Sequence, residues 1–432
     1  MSVKMTDAPN LSNTKTIDDV IAMLDEGKLI SLLRSLIKIP SYIGEEEEKA
    51  DFVQRELERM GLEIIEMVLP TAHSHRRRNV LGVERGSGAG KNVMLCAHLD
   101  THWPSVDHFS PHEAVVKDEK IYGIGTGDSL TPMAAMLAAI DTVKRSGVTV
   151  KGDLIFAATV DELGHKQGGQ MIAESGMKID ICLEGDVGSP YEVFICHTGK
   201  VEVEIRTKGS SGFIIGAFSE RAGHQTVNAV VSMNKIINSL LEMKEEDPYF
   251  QVTHPLLNGT GAGLHIGPII GGSVGFGLPT RPPGKGPGQH GVTIPLPTWC
   301  KLRVGGRYWP GQTAQGFVDA VTGWVDKAKA EDATIEAEID VYLDNGITAW
   351  ETSEDAEAVQ LISEAVKHVH QQEPVMAGMI ASLEVPFYAR AGIDCVSYGG
   401  NTRVGSPDEH TTVKELIDLT KVYIAFIMKA CS

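Results

Sequence analysis

The chain has 432 residues, of which 42 % are hydrophobic and 22 % are charged, so it is long enough for one large globular domain or two ordinary ones. Its formal net charge of −18 argues against nucleic acid or an anionic membrane surface as a partner. The six cysteines show no CxxC spacing, and there is neither a signal peptide nor an apolar run of membrane-spanning length, so we expect a cytoplasmic protein.

The first 200 residues alternate between helix-type and strand-type segments. Helices are predicted before Pro40, over residues 45–61 and over residues 131–146, and the second of them is amphipathic. The segments NVMLCAHL, GDLIFAATV and DICLE are apolar almost throughout, as in strands that are buried on both faces. This alternation predicts an α/β fold with a mostly parallel, mixed sheet.

The sequence changes character near residue 200. The segment KVEVEIRTKG alternates between apolar and polar residues, as a half-exposed strand does, and further helix and strand segments follow to about residue 345. An α/β pattern then returns and continues to the C terminus. We therefore predict a first domain made of residues 1–202 and 346–432, with a smaller α+β domain inserted at residues 203–345.

Titratable side chains cluster where the buried strands are predicted to end. They are His98 and Asp100, Asp161 and Glu162, Glu184 and Asp186, with Asp128 in a loop and His410 late in the chain. Open α/β sheets place their sites at the carboxyl ends of parallel strands. Histidine together with carboxylates suits Zn²⁺, Mn²⁺ or Co²⁺, so this pattern predicts a metal site, although a chance polar edge of the sheet would give the same pattern.

The segment GIGTGD at residues 123–128 has two possible interpretations. Its glycines resemble part of a dinucleotide-binding fingerprint, but a phosphate site requires free N–H groups and positive charge, whereas Asp128 puts a carboxylate there. A carboxylate held by a glycine turn can instead bind a cation.

Taken in chain order, these motifs resemble those of the co-catalytic metallopeptidase family that includes aminoacylase, glutamate carboxypeptidase, acetylornithine deacetylase and tripeptide aminopeptidase. The segment HLDT is similar to the family's H-x-D motif, which implies that His98 binds metal and that Asp100 orients it. GIGTGD is similar to the motif whose aspartate bridges two metals, which implies that role for Asp128. The resemblance implies further metal ligands at Glu162, Glu184 and His410, and a general base at Asp161.

The segment DELG departs from the family's E-E-x-G pattern. With Asp161 as the base, the carboxylate is one methylene shorter than the usual glutamate. A second alignment makes Glu162 the base and places Leu163 where a ligand is expected, which would leave one metal site incomplete. We favour the first alignment because it keeps Gly164 in register.

The inserted segment resembles the family's lid and dimerisation domain. This implies that Arg307 in GGRYWPG binds a substrate carboxylate, and it makes His224 the nearest candidate for the lid histidine that reaches into a partner's site. A surface salt bridge for Arg307 and an ordinary surface position for His224 are the alternatives.

The resemblance implies an enzyme with one or two divalent transition-metal ions (Zn, Mn or Co) that hydrolyses a C–N bond by attack of metal-activated water. The expected substrate is a small carboxylate-bearing amide, either an N-acyl amino acid or a short peptide. One alternative is an aminohydrolase that releases ammonia, for example from an aromatic amine such as 5-nitroanthranilate. Another is a non-catalytic binding member of the family. We expect a homodimer or a higher homo-oligomer.

Overall fold

The computed structural model describes residues 15–70, 76–211, 226–257, 262–273, 296–343, 346–401 and 403–431. These residues form two compact units. The first unit comprises residues up to 195 together with 352–377 and 383–432, and the second comprises residues 196–351 together with 378–382.

The helices and strands follow one another along the chain in three stretches. The first contains α1 (Ile17–Ile21), α2 (Glu26–Ile37), α3 (Glu47–Arg59), β1 (Glu63–Val68), β2 (Arg78–Glu84), β3 (Val93–His98), β4 (Val116–Lys117), β5 (Lys120–Tyr122), α4 (Leu130–Ser146), β6 (Leu154–Thr159), α5 (Gln167–Glu174), β7 (Ile181–Glu184) and β8 (Glu192–His197). The second contains β9 (Gly199–Lys208), α6 (Ala229–Glu246), β10 (Gly263–Gly272), β11 (Trp299–Tyr308), α7 (Ala314–Glu331), β12 (Glu336–Leu343) and β13 (Trp350–Glu351). The third contains α8 (Glu357–His370), β14 (Val375–Met379), α9 (Val385–Arg390), β15 (Asp394–Ser397), β16 (His410–Thr412) and α10 (Val413–Ala430).

A mixed sheet forms the centre of the first unit, with the strand order β1-β2-β6-β3-β7-β15-β8. Strand β3 runs parallel to β6 and β7, and β7 runs parallel to β15, whereas β2 is antiparallel to its neighbours. Every residue of β3 and β6 is buried, because helices cover the sheet. The predicted α/β class with a mixed sheet is confirmed, and the carboxyl ends of β3, β6, β7 and β15 share one edge.

Two long helices supply much of the apolar cover of this sheet. Helix α4 buries most of its length, and α10 buries an almost continuous run from Leu416 to Met428. Helix α10 begins with a capping box in which Thr412 and Glu415 each bond the other's backbone N–H. None of the described helices combines the length and apolar character that crossing a membrane requires.

The second unit contains an antiparallel four-stranded sheet with the order β10-β11-β9-β12. Helices α6 and α7 pack on it around a separate core that includes Val203, Met233, Leu302 and Phe317. The sequence placed the inserted domain at 203–345, whereas the compact unit runs from 196 to 351 and adds 378–382. The predicted start falls inside β9, because an alternating strand pattern does not reveal where the strand begins.

Candidate metal centre

His98 is the last residue of β3, and its imidazole is surrounded by carboxylates. Its Nε2 atom lies 2.6 Å from Asp128 Oδ1, 3.8 Å from Asp186 Oδ2 and 4.0 Å from Glu162 Oε2. All four side chains are buried, and His98, Glu162 and Asp186 can each offer a ligand atom to one metal ion. The three acids follow three different chain segments, which the sheet brings to one edge. Below, these four side chains are called the His98 cluster.

The other ring nitrogen of His98 is fixed by the backbone of Asp100. Nδ1 lies 2.8 Å from the Asp100 carbonyl oxygen, whereas the Asp100 carboxylate is 3.6 Å away. Since a carbonyl oxygen only accepts hydrogen bonds, Nδ1 carries a proton and Nε2 is directed at the acids. The Asp100 carboxylate instead accepts the N–H groups of Glu162 and Leu163 at 3.2 and 2.9 Å. In this geometry the Asp100 carbonyl holds the His98 ring and the Asp100 side chain holds the Glu162 loop, while the orienting role of Asp100 stays a prediction.

Asp128 sits in a glycine turn that a distant glutamate secures. Gly125 has φ +83°, and the N–H of Gly127 donates to Glu409 Oε1 at 2.8 Å. A Cβ atom on Gly127 would lie 2.8 Å from the Val404 nitrogen, so a side chain there would force the segment apart. The turn presents the Asp128 carboxylate to His98 and His102, which favours the cation interpretation of GIGTGD over the phosphate one.

The electrostatics of Asp128 and His98 are those of a site that attracts positive charge. Burial alone would lower the pKa of His98, but the facing acids, Asp128 first among them, raise it well above its ordinary value. Burial alone would raise the pKa of Asp128, but His98 and His102 hold it well below its ordinary value.

The Asp161 carboxylate is bound within its own loop. Its Oδ1 accepts from Arg77 Nη2 at 3.0 Å, and its Oδ2 accepts the N–H groups of His165 and Gln167 at 3.1 and 3.4 Å. Arg77 also pairs with the buried Glu46. Both oxygens of Asp161 are thus bound within the loop, whereas its neighbour Glu162 lies in the cluster. The choice between the two alignments stays a prediction.

A buried lysine contacts Glu162. Lys166 Nζ forms an ion pair with Glu162 Oε1 and donates to the Glu162 carbonyl oxygen at 2.9 Å. Burial alone would lower the pKa of Lys166, but Glu162 raises it above its ordinary value. No sequence pattern singled out Lys166, because a lysine four residues after an acid is common on any helix or loop.

Asp186, and not Glu184, belongs to the His98 cluster. Glu184 is still within β7, where it pairs with Cys96 and Ser397, and its Oε1 accepts the Glu384 N–H at 3.0 Å. Burial, with Glu384 next in effect, raises the pKa of Glu184 well above its ordinary value. Burial, with Glu162 next in effect, raises the pKa of Glu384 to about 7. The acid two residues further on therefore lies nearer His98 than Glu184 does, and the ligand role of Glu184 stays a prediction.

The remaining predicted residues are His410, Arg307 and His224, and their roles stay predictions. His410 opens β16, where its Nδ1 lies 2.6 Å from the Asp408 carbonyl oxygen and its ring lies 5.1 Å from that of Tyr122. Arg307 is on β11 of the second unit. His224 falls in residues 212–225, outside the described residues.

The donor set fits a divalent transition metal. One imidazole with Nε2 directed inward and several carboxylates, without a thiolate, is typical of Zn²⁺, Mn²⁺ or Co²⁺ sites with catalytic functions. An α/β sheet with such a set at the carboxyl ends of its parallel strands is the architecture of a metallohydrolase.

The comparisons with known proteins identify the family. The profile described as Peptidase family M20/M25/M40 matches residues 94–429, and the chain belongs to this family. The uncharacterized protein YgeY of Escherichia coli (strain K12) is 23 % identical over 420 residues, covering 93 % of this chain and 94 % of YgeY. A succinyl-diaminopimelate desuccinylase of Caulobacter sp. (strain K31) is 27 % identical over 226 residues, covering 49 % of this chain and 55 % of that protein.

The fold is shared with solved structures of the same class. The crystal structure of aminopeptidase PepT from Bacillus cereus superimposes with a TM-score of 0.73 at 15 % identity, covering 95 % of this chain and all of that one. The resemblance inferred from the motifs is confirmed, and the protein is a metal-dependent hydrolase that acts on carbon–nitrogen bonds. The expectation of a divalent metal cofactor is confirmed as well, while the identity of the metal stays a prediction.

Proposed function

We propose that the protein hydrolyses the amide bond of a small carboxylate-bearing substrate, either an N-acyl amino acid or a short peptide. The observation that carries the chemistry is the His98 cluster, in which Nε2 faces three carboxylates within 4.0 Å. The desuccinylase relative supports the substrate class, since its name describes removal of a succinyl group from an amino acid derivative.

The residues that would hold the cation are His98, Asp128 and Asp186. Zinc, manganese and cobalt all suit this set. A divalent cation bound there supplies Lewis acidity, which polarises an amide carbonyl and makes water more acidic. The chain's own contribution is to fix the ligands: the Asp100 carbonyl orients His98, and Glu409 holds the Asp128 turn.

Glu162 is the proton-transfer group in this proposal. Its Oε2 faces His98, and its backbone is held by the Asp100 carboxylate. It takes a proton from the attacking water and delivers it to the departing nitrogen. Asp161 is assigned a supporting role, because Arg77 and two backbone N–H groups already occupy its carboxylate.

Arg307 is proposed to bind the substrate carboxylate. Its Nη1 atom is buried and has no hydrogen-bond partner among the residues that the structure describes. A buried guanidinium nitrogen without a hydrogen-bond partner is costly to maintain, and a carboxylate would satisfy it. With Arg307 and His224 in the inserted segment, the second unit is proposed to act as a lid or dimerisation domain.

A substrate panel tests this function. Metal-reconstituted protein is assayed for release of free amino acid from N-acyl amino acids and dipeptides, and in parallel for release of ammonia from aromatic amines. We expect amino acid release, and we expect Arg307→Ala to raise KM about tenfold or more for carboxylate substrates but not for their amides. Arg307→Lys should restore little, because a point charge does not form the paired contact. Ammonia release without amino acid release would contradict the proposal.

A further inference from the structure

The resemblance on which the ligand predictions rest implies two metals bridged by Asp128, with Glu162, Glu184 and His410 as further ligands. In the structure, one of these ligands already has a positively charged partner. One oxygen of Glu162 is taken by the Lys166 ammonium group, which also donates to the Glu162 carbonyl oxygen at 2.9 Å. Lys166 is 4 % exposed, so the ammonium group is enclosed beside the His98 cluster.

The loop that connects β6 to α5 fixes this ammonium group in place. Asp161 and Lys166 both adopt the left-handed backbone conformation, with φ +66° and +56°. The Lys166 N–H donates to the Asp161 carbonyl oxygen at 2.7 Å, which closes the turn, and Arg77 holds the Asp161 side chain. Two non-glycine residues in this conformation are costly unless the surroundings enforce them. The backbone conformation of the turn therefore holds Lys166 next to Glu162.

His410, another ligand that the resemblance implies, forms no ion pair with the His98 cluster among the described residues. Its Nδ1 faces the Asp408 carbonyl oxygen, and its ring packs beside Tyr122, the residue that it opposes in the β16–β5 pair. Among the described residues, the ion pairs of the His98 cluster involve Asp100, Asp128, Glu162, Asp186, His102 and Lys166.

The Lys166 ammonium group brings a positive charge to a centre that is rich in buried carboxylates. Three of them face His98 Nε2, and the Asp100 carboxylate lies 3.6 Å from His98 Nδ1. Buried carboxylates are costly without a positively charged partner, which can be an ammonium group or a metal ion.

We propose that Lys166 takes the place of a second metal ion, so that the centre binds one divalent cation through His98, Asp128 and Asp186. The ammonium group then holds Glu162 with its free Oε2 directed at His98. The inference rests on the proposed function only in that both concern the same centre. It makes Lys166 a positioning residue and not a metal ligand.

Metal counting without substrate tests the proposal. Metal-free full-length protein is saturated with Mn²⁺, desalted, and measured for manganese per chain by mass spectrometry and for spin coupling by electron paramagnetic resonance. We expect about one Mn²⁺ per chain with the six-line signal of an isolated ion. About two Mn²⁺ per chain with a spin-coupled signal would overturn the proposal.

One variant tests the role of Lys166, and two further variants serve as controls. Lys166→Met removes the charge and keeps most of the length, and it should raise the count toward two Mn²⁺ per chain. Lys144→Met removes a lysine that pairs with Glu84 on another surface of the unit, and it should leave the count at one. His410→Ala should also leave the count at one, whereas a second metal held by His410 would be lost. An unchanged count in folded Lys166→Met protein would contradict the role of Lys166.

The count separates this proposal from the proposed function. An active amidohydrolase that holds two manganese ions per chain would overturn the Lys166 inference alone. A protein that holds one manganese ion and cleaves none of the amides would overturn the substrate proposal alone. If Lys166→Met fails to fold, the wild-type and His410→Ala counts still decide the matter.

Discussion

At the scale of single residues, the two neighbouring acids Asp161 and Glu162 have different environments. Both oxygens of Asp161 are engaged by Arg77 and by backbone N–H groups of its own loop. Glu162 has one oxygen on Lys166 and the other facing His98. A carboxylate with both oxygens occupied is a poor proton acceptor, because proton transfer requires an open path to the water.

The variant Glu162→Gln should therefore mainly affect catalysis, whereas Asp161→Asn should mainly affect stability. Glu162→Gln removes the proton acceptor and should lower kcat about 10²- to 10⁴-fold. Its melting temperature should stay close to that of the wild type. Asp161→Asn should lower the melting temperature, since it leaves Arg77 short of a buried partner, and should affect kcat less. The measurement is steady-state kinetics together with thermal unfolding. A larger kcat loss in Asp161→Asn than in Glu162→Gln would restore the first alignment.

Lys49 gives a pH-dependent prediction at the same scale. It is buried in α3, and burial lowers its pKa to about 7, although Asp100 acts in the opposite direction. Between pH 7 and its ordinary pKa near 10.4, the unfolded lysine binds a proton that the folded one has lost. The free energy of unfolding should therefore rise with pH in that window, by at most about 1.4 kcal/mol per pH unit.

The matched variant is Lys49→Met, which removes the buried amine. It should be more stable than wild type at pH 7, and this advantage should shrink as the pH is raised toward 10, as measured by urea unfolding at each pH. An advantage that stays constant over this range would show that Lys49 keeps its ordinary pKa in the folded protein.

Part of the centre was predictable residue by residue. His98 ends a wholly buried strand and Asp128 follows three spaced glycines, so their neighbours along the chain identify them. The sequence could not show which of Glu184 and Asp186 faces His98, because it does not show where β7 ends. Glu184 still makes ladder pairs with Cys96 and Ser397, and only the acid beyond the last pair reaches the edge.

At the scale of elements, the turn that carries Asp128 depends on a residue from the other end of the chain. Glu409 accepts the Gly127 N–H at 2.8 Å and the Gly405 N–H at 3.3 Å, which joins the turn to the segment before β16. Burial raises the pKa of Glu409 above its ordinary value, against the effect of these two N–H groups. A partner 282 positions away leaves no local pattern in the sequence.

Glu409→Gln should loosen this turn and weaken metal binding. We expect the affinity for Mn²⁺ to fall about tenfold, in the lower range of effects seen when a group that supports a ligand is changed. The affinity is measured by calorimetric titration of metal-free protein. Glu364→Gln, which changes a glutamate paired with Lys429 at the surface, is the control and should leave the affinity unchanged. An unaltered Mn²⁺ affinity in Glu409→Gln would contradict the supporting role.

At the scale of the whole molecule, the order of elements followed from the sequence, whereas several long-range contacts did not. The switch from buried apolar runs to an alternating strand signalled the inserted domain, because the antiparallel sheet of the second unit has one exposed face. Contacts such as Arg77 with Asp161 and Glu184 with Glu384 join segments whose proximity is decided by the sheet order β2-β6-β3-β7-β15. No local sequence pattern predicts this strand order.

The central claim is that hydrolysis depends on a divalent cation at the His98 cluster. The most direct measurement follows amide hydrolysis by chelator-treated protein, then by the same sample after Mn²⁺, Zn²⁺ or Co²⁺ is restored, with folded His98→Ala protein in parallel. We predict no activity without metal, recovery with at least one of the three ions, and no recovery in His98→Ala. Full activity in a metal-free sample, or in His98→Ala, would contradict the account.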